Sequence, residues 1–278
     1  MNPTVEIRLS TADRLDEALS LPADAIGLGQ EGCLAKLPDT DLLRTAADRV
    51  REAGRTVVLV APIAWPRTAE LLLRRLLAVA DDGPTSIAVN DVGTALALAT
   101  AQPADCTLVA GLGLTRARPH SAHPDGPAAP PAALDTELLT TLQPHGITAV
   151  EVDTDTHLSG SDLWQIRQLV DTIPLSYGRS CPTARHHRTG PPDCQALCDT
   201  PYTIRPHQRW QLNHGHREPL PAGTPQPTLT VWGNAVYQPA TTTASADYRI
   251  VDARWHTPDS LATTVRHLHG HVPVPTGR

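Results

Sequence analysis

The alternation of apolar and polar stretches over residues 3–115 predicts strands and helices that follow one another in turn. Residues 56–61, Thr-Val-Val-Leu-Val-Ala, form an uninterrupted apolar run rich in β-branched side chains, which is typical of a buried parallel strand. Further short strands are predicted at 3–8, 25–29, 86–91 and 107–111. Segments of helical composition separate them, at 11–19, 41–53, 68–80 and 92–101. Repeated strand–helix units indicate a parallel sheet.

Residues that begin and end helices support this pattern. Thr11 is a candidate N-cap for the first helix, and Asp39 or Thr40 for the second, which ends near Gly54. The strand at 86–91 places Asn90 and Asp91 at its carboxyl end. The pattern therefore predicts the strands and helices and also places Asn90 and Asp91 between the strand at 86–91 and the helix that follows it.

The alternation resumes in the second half of the chain. The predicted elements are helix 134–143, strand 148–153, helix 161–171 with Ser161 as N-cap, strand 173–177, strands near 228–234 and 248–253, and helix 258–268. No Gly-x-Gly-x-x-Gly turn opens a helix near the start, so eight or nine strands favour a barrel over an open doubly wound sheet. The predicted fold is α/β: a single (β/α)8 TIM-barrel-like domain over residues 1–278, with two fused smaller domains as the alternative.

Two segments interrupt the predicted barrel. Residues 117–133 contain five prolines and six alanines and are interpreted as a proline-rich inserted loop, either a lid or a simple expansion. Residues 176–227 carry three of the five cysteines and are then rich in Pro, His, Gly and Arg. We interpret this second segment as a cysteine loop followed by an irregular excursion from the same domain.

Composition narrows the functional classes. A formal net charge of -6 over 278 residues argues against a broadly cationic domain, so nucleic acid is an unexpected partner. No apolar run approaches the roughly 20 residues that cross a bilayer, and residues 1–6 lack a basic region followed by an apolar segment. These features predict a cytoplasmic protein without a membrane span. In that reducing compartment an odd number of cysteines indicates ligands, nucleophiles or buried thiols rather than a disulfide framework.

The spacing of the cysteines indicates a metal centre. Cys181, Cys194 and Cys198 lie within 18 residues, and Cys33 lies far upstream. Thiolates are soft ligands that select zinc or clustered iron. On a barrel, Cys33 and Cys181 would each follow a strand and so lie on the same face. Structural four-cysteine zinc sites usually pair two close cysteine knuckles, and only Cys194 and Cys198 form one here, so a cubane cluster is favoured. Buried or incidental thiols are the remaining alternative, and Cys106 is predicted to be a small core residue.

Three further residues are candidates for chemistry. Asn90 and Asp91 would either form a polar floor of the active site or end a strand by satisfying the backbone. Arg185 lies in a basic stretch beside the cysteines and would either bind an anionic substrate or belong to a solvated face. No serine nucleophile elbow and no His-Glu-x-x-His zinc motif is present, so common hydrolase mechanisms are not expected.

Four stretches resemble the U32 peptidase-like family. They are residues 28–33 (Leu-Gly-Gln-Glu-Gly-Cys), 90–93 (Asn-Asp-Val-Gly), 175–185 (Leu-Ser-Tyr-Gly-Arg-Ser-Cys-Pro-Thr-Ala-Arg) and 193–198 (Asp-Cys-x3-Cys). The chain is most similar to the short, barrel-only branch that includes the small subunit of the oxygen-independent ubiquinone hydroxylase pair. The resemblance runs over roughly residues 20 to 255. One departure is that Arg179 precedes the second cysteine by two positions, because Ser180 intervenes.

This resemblance implies a [4Fe-4S] cluster held by Cys33, Cys181, Cys194 and Cys198. It also implies hydroxylation of a small organic molecule without O2, with prephenate as candidate oxygen donor, in quinone or secondary-metabolite biosynthesis. A second U32-like subunit, forming a heterodimer, is the expected partner. The alternatives are a noncatalytic iron–sulfur scaffold or electron-transfer subunit and, with less support, a peptidase.

Overall fold

The computed structural model describes residues 3–117, 133–154, 163–177, 200–204, 208–211, 216–219, 228–240 and 245–270. Its central element is a closed barrel of eight parallel strands. The barrel strands are β1 (Thr4–Leu9), β2 (Ala25–Gly29), β3 (Thr56–Val60), β4 (Thr85–Val89), β5 (Cys106–Ala110), β8 (Ile147–Asp153), β9 (Gln165–Leu169) and β16 (Tyr248–Asp252). Their order around the barrel is β1-β16-β9-β8-β5-β4-β3-β2. The predicted (β/α)8 barrel is confirmed.

Helices pack on the outside of the barrel. They are α1 (Leu15–Leu19), α2 (Thr40–Glu52), α3 (Ala69–Ala80), α4 (Val92–Ala101), α5 (Leu112–Thr115), α6 (Thr136–Leu142) and α7 (Pro258–Leu268). Asp39 caps α2 by accepting a hydrogen bond from the Leu42 amide, as predicted, and Gly54 follows the helix with a φ of 70°. Thr11 lies at the N-cap position of a 3-10 turn at residues 12–14, but its side chain forms no capping bond.

Aliphatic side chains form the layer between strands and helices. Val57, Leu59, Ile87 and Val89 on the strands and Leu76 on α3 are completely buried in it. A parallel sheet covered on its outer face needs such continuous apolar strands, which is why the first half of the chain was predictable from its pattern.

The structure corrects two predictions in the second half. Residues 165–169 form barrel strand β9, so the predicted helix at 161–171 is wrong. Residues 172–177 form a strand as expected, but this strand lies outside the barrel, in an antiparallel sheet. The late strand predicted near 228–234 belongs to that sheet too.

The antiparallel sheet has four strands. They are β10 (Thr172–Tyr177), β11 (Tyr202–Ile204), β14 (Leu229–Trp232) and β15 (Ala235–Pro239), in the order β10-β15-β14-β11. Two short hairpins complete the described strands: β6 (Arg116–Ala117) with β7 (Ala133–Leu134), and β12 (Gln208–Gln211) with β13 (His216–Pro219). The predicted loop at 117–133 thus connects a hairpin, and its residues 118–132 lie outside the described chain. No helix in the described ranges is both long and apolar enough to span a bilayer.

Candidate functional site at the carboxyl end of the barrel

Cys33 lies in the loop after β2, at the carboxyl-terminal face of the barrel. It is 5% exposed and precedes a 3-10 turn at Leu34–Lys36, in which the Lys36 amide bonds to the Cys33 carbonyl. The preceding loop is fixed by backbone pairing, because the Ile63 amide donates to the Glu31 carbonyl over 2.9 Å. The structure therefore places this predicted ligand where barrel enzymes carry their chemistry.

The turn between β14 and β15 contacts the residue before Cys33. The Asn234 side-chain amide donates to the Gly32 carbonyl over 3.1 Å. A Cβ atom built at Gly32 would lie 3.6 Å from the Ala235 Cβ atom, so the two backbones touch. The loop that carries Cys33 is thus attached to one end of the antiparallel sheet.

Both ends of the cysteine segment reach this same end of the sheet. Tyr177, the last residue of β10, pairs with Ala235, and Tyr202, the first residue of β11, pairs with Val231. Because Trp232 pairs with Ala235 across the turn, these positions are neighbours. The described backbone therefore brings residue 33 and the two ends of the segment 178–201 to the same end of the antiparallel sheet, where the ends of the segment lie on its two edge strands.

The other three predicted cluster ligands fall outside the described residues. Cys181, Cys194, Cys198 and Arg185 all lie in the segment 178–199. Within the described ranges no group of three or more His, Cys, Asp or Glu side chains is arranged to hold a metal ion, and only Cys33 of the predicted ligands is among them. The four-cysteine site stays a prediction. Cys33 and Cys181 were expected to share a face because each would follow a barrel strand. Cys181 instead follows β10, a strand of the antiparallel sheet.

Asn90 lies directly after β4 and is 2% exposed. Its side-chain nitrogen donates to the Ala61 carbonyl over 2.8 Å, and its side-chain oxygen accepts from the Gly113 amide over 2.9 Å. A Cβ atom at Gly113 would lie 2.5 Å from the Asn90 carbonyl oxygen, so glycine is needed for this approach. Asn90 therefore ties the ends of β3, β4 and β5 together, which matches the structural interpretation of this turn.

Asp91 is the N-cap of α4. It accepts hydrogen bonds from the amide of Thr94 over 2.8 Å, the hydroxyl of Thr94 over 2.8 Å and the amide of Ala64 over 2.9 Å. Both carboxylate oxygens are used in these local bonds. A catalytic role for Asn90 and Asp91 stays a prediction, and their backbone and capping contacts account for their presence without it.

A buried ion-pair cluster fills the barrel below the mouth. Arg8 donates all five of its N–H groups to carboxylates: two to Glu6, one to Glu31 and two to Glu151, over 2.5 to 3.2 Å. Each of these four side chains is at most 2% exposed. A Cβ atom at Gly27 would lie 2.5 Å from a Glu6 carboxylate oxygen, so this glycine makes room for the cluster.

Charge is not balanced around Arg8. Burial alone would lower the pKa of Arg8, but Glu151, Glu6 and Glu31 raise it well above its ordinary value. Burial raises the pKa of Glu151, and the neighbouring carboxylates of Glu6 and Glu31 add to this against the opposing effect of Arg8. The charge of Arg8 offsets only part of the burial and mutual repulsion of the three carboxylates, so the pKa of Glu151 is raised.

A second buried guanidinium, Arg254, lies nearer the mouth. It pairs with Asp252, donates to the Gln30 side chain over 2.8 Å and to the Tyr237 hydroxyl over 3.1 Å, and lies 3.7 Å from Glu31. It also lines a cavity of about 280 Å³ between the loops that follow β1, β2 and β16. Other residues lining this cavity are Ser10, Thr11, Arg14, Lys36 and Trp232.

Cys106 lies at the opposite end of the barrel, at the start of β5. It packs against the apolar core, as predicted, and burial raises the pKa of its thiol to about 11. Such a thiol is a poor nucleophile and a poor ligand at neutral pH. Cys106 is therefore a natural control for experiments on the other cysteines.

Comparison with known proteins adds two structural similarities. No model of a known protein family matches the chain, and no curated protein sequence does. The U32 peptidase Mk0906 aligns with 90% of this chain and 92% of its own, at 15% identity and a TM-score of 0.45. A truncated form of 3-deoxy-D-arabino-heptulosonate 7-phosphate synthase from Thermotoga maritima aligns over 54% of this chain and 63% of its own, at 14% identity and a TM-score of 0.28.

Sequence analysis missed the residues of the buried clusters. Glu6 and Arg8 alternate within the short strand β1 and both point inward. Glu151 lies within a strand that is otherwise mostly apolar. Charged residues at the inward positions of predicted barrel strands were the available signal.

Proposed function

We propose that this chain is an iron–sulfur protein that carries out, or shares in, oxygen-independent hydroxylation of a small organic molecule at the carboxyl end of the barrel. The observation that supports it best is the convergence of residue 33 with both ends of the segment that contains Cys181, Cys194 and Cys198. Cys181 lies four residues beyond Tyr177, which is a reach of at most about 14 Å for an extended chain.

The residues present suit a cluster. Cys33 offers a soft ligand in a site that is largely shielded from water. The resemblance to the U32 family implies that Cys181, Cys194 and Cys198 are the other three ligands. When bound, a [4Fe-4S] cluster supplies one-electron chemistry, and prephenate is the candidate oxygen donor.

The described side chains would shape the site beside the cluster. Arg254 positions the loop before Cys33 through its hydrogen bond to Gln30 and is itself fixed by Asp252. It borders a cavity that is lined also by Arg14, Lys36 and one acidic residue, Asp13, so basic residues outnumber acidic ones there and would suit an anionic substrate group. The Arg8 cluster lies behind Glu31 and holds that side of the loop in place.

Anaerobic purification tests the cofactor. The expected product is a brown protein with about four iron and four sulfide per chain. Cys33→Ser should lose most of the iron, whereas Cys106→Ser, at the other end of the barrel, should keep it. A colourless protein with stoichiometric zinc would overturn the proposal.

The reaction itself needs a separate assay. The reconstituted protein, alone and with a second U32-like subunit, would be incubated without O2 with candidate aromatic substrates and 18O-labelled donors. Transfer of the label to the product supports hydroxylation. A fully loaded cluster with no transfer under any of these conditions would contradict the catalytic part of the proposal.

A noncatalytic iron–sulfur subunit is the second candidate, and one observation favours it. The polar atoms of Asn90 and Asp91 are used by backbone and capping contacts, so neither side chain is held ready for a substrate. If this alternative holds, Asn90→Ser should change stability but not the activity of an assembled complex per folded molecule.

A further inference from the structure

A serine, a histidine and an aspartate form a hydrogen-bonded chain at the carboxyl face of the barrel. The Ser260 hydroxyl lies 3.3 Å from Nδ1 of His256, and Nε2 of the same ring lies 2.8 Å from a carboxylate oxygen of Asp171. The three residues come from different elements: Asp171 follows β9, His256 follows β16, and Ser260 lies in the first turn of α7. Only the structure brings them together, since Asp171 is 85 residues from His256.

The contacts of Asp171 set the tautomer of the histidine. The Asp171 side chain is 8% exposed, and its second oxygen accepts from the Asp252 amide over 2.7 Å, which fixes its orientation. Burial raises the pKa of Asp171, against the effect of its hydrogen bond with His256, so the carboxylate is a strong acceptor. It therefore favours a proton on Nε2, and the lone pair of Nδ1 faces Ser260.

Ser260 also contributes to the N-terminal cap of α7, and this role must be distinguished from its contact with His256. Its hydroxyl also lies 3.1 Å from the Thr257 carbonyl, to which it can donate, and its amide donates to the Thr257 hydroxyl over 3.3 Å. These bonds belong to the N-terminal cap of α7. The hydrogen bond from the Ser260 amide to the Thr257 hydroxyl does not involve the serine hydroxyl. Loss of the serine hydroxyl should therefore change the free energy of unfolding little.

Arg14 connects this chain to a cavity that none of the three residues lines. Arg14 donates to the carbonyls of both Ala253 and His256, and Arg14 and Ala253 also line the cavity of about 280 Å³. Ser260 itself is exposed, while the His256 side chain is 13% exposed. A solvent-accessible hydroxyl, that of Ser260, thus contacts a histidine that is largely shielded from solvent.

We propose that Ser260, His256 and Asp171 form an acyl-transfer site that hydrolyses small esters. This activity is independent of the proposed iron–sulfur function and uses none of the proposed cluster ligands. Ser260 is the nucleophile, His256 the general base, and Asp171 a positioning residue. The absence of a nucleophile-elbow motif from the sequence does not bear on it, because such sites are defined by geometry and not by spacing.

The reaction balances with water alone. The Ser260 oxygen forms a bond to the ester carbonyl carbon while Nδ1 takes the hydroxyl proton. The bond to the alcohol oxygen then breaks, and the imidazolium gives its proton to that oxygen. Water repeats the sequence on the acyl-serine and releases the carboxylic acid and the free enzyme.

Labelling with a fluorophosphonate probe tests the nucleophile directly. The full-length protein, with and without iron, should be labelled once, and peptide mapping should find the label on Ser260. Ser260→Ala should abolish labelling and lower the hydrolysis of p-nitrophenyl acetate by roughly 100-fold or more toward the buffer rate. Thr263→Ala, an exposed hydroxyl one turn further along α7, should do neither.

The supporting residues have their own readouts. His256→Ala should lose activity and regain part of it on addition of free imidazole, which a purely structural histidine would not do. Asp171→Asn should lower kcat with KM little changed, because the wrong tautomer then faces the serine. If a folded wild-type protein leaves Ser260 unlabelled, or Ser260→Ala hydrolyses the ester at the wild-type rate, the proposal is wrong and Ser260 is only part of the helix cap.

Discussion

Two buried arginines in this barrel have opposite surroundings. Arg8 gives every N–H group to a carboxylate, whereas Arg254 divides its donors among one close carboxylate, an amide and a phenol. Arg254 also faces the rings of Tyr237 and Trp232, at 5.3 and 6.0 Å from their centroids, and borders the cavity.

This difference indicates that Arg8 stabilises the barrel, whereas Arg254 is placed to act at a binding site. An arginine saturated by three carboxylates has no donor left for a ligand, and removing it exposes three buried charges to each other. Arg254 has one close carboxylate partner, Asp252, and it lies at the surface of a cavity. Variants of the two arginines and of their partners test this division, and the largest effect is expected at Arg8.

Replacement of Arg8 should have the greatest cost. In Arg8→Met the carboxylates of Glu6, Glu31 and Glu151 lose their common partner inside the barrel, and the expected loss of unfolding free energy is at least about 3–5 kcal/mol. Denaturant unfolding measures it. If Arg8→Met does not accumulate as folded protein, the quadruple variant that adds Glu6→Gln, Glu31→Gln and Glu151→Gln to Arg8→Met should fold better than Arg8→Met alone, since the unpaired charges are then gone. Equal failure of both would contradict the account.

Arg254→Met should cost less stability, about 2–3 kcal/mol, because only Asp252 loses a close ionic partner. It should, however, affect the proposed site more. Loss of the bond to Gln30 frees the loop that carries Cys33, so iron content after reconstitution should fall while the folded fraction holds. A stability loss as large as that of Arg8→Met, with iron content unchanged, would reverse the comparison.

The raised pKa of Glu151 predicts a specific pH dependence. An acid whose pKa is higher in the folded state stabilises the fold below its ordinary pKa and loses that contribution as pH rises through the folded-state pKa. Relative to the wild type, Glu151→Gln should therefore gain unfolding free energy as the pH rises from the ordinary pKa of a glutamate through the raised folded-state pKa of Glu151. Denaturant unfolding at several pH values measures the difference. A relative loss over that range would mean that an ionised Glu151 is net stabilising.

The two buried tyrosines Tyr248 and Tyr237 give the smallest expected change in stability and the most closely matched pair of variants. The Tyr248 hydroxyl donates to Glu6 over 3.0 Å, whereas the Tyr237 hydroxyl accepts from an Arg254 nitrogen that also donates to Gln30. Tyr248→Phe leaves a buried carboxylate oxygen without that donor and should cost about 1–3 kcal/mol, against about 0.5–1.5 kcal/mol for Tyr237→Phe. Thermal unfolding of the two variants measures the order, and the reverse order would count against the division.

The parts of the fold that the sequence predicted are those where local pattern and packing agree. The bounds of α4 and α7 were predicted to the residue, because each has a clear cap, Asp91 and Thr257, and a regular apolar face or composition. Strand β9 was missed for the opposite reason. Its sequence, Gln-Ile-Arg-Gln-Leu, has no strand-like run, and some of its polar groups are bonded by residues far along the chain. Gln168, for example, accepts from the amides of Ser245 and Ala246.

The candidate site shows the same limit. Cys33 was placed correctly because it directly follows a strand that the pattern defines. The link from Cys33 to the later cysteines was predicted through the wrong strand, since nothing local distinguishes β10 from a barrel strand. Asp171, His256 and Ser260 could not be connected from sequence, because their contact depends on the closure of the barrel.

Thiol cross-linking tests the central claim, that the fold brings Cys33 to the cysteine segment. Iron-free, reduced protein would be treated with dibromobimane, which joins thiols that lie within a few ångströms, and the products mapped by mass spectrometry. The account predicts that Cys33 is recovered linked to Cys181, Cys194 or Cys198, and that Cys106 is linked to none of them. If Cys33 reacts only singly while the three later cysteines cross-link among themselves, the convergence on which the proposed function rests is contradicted.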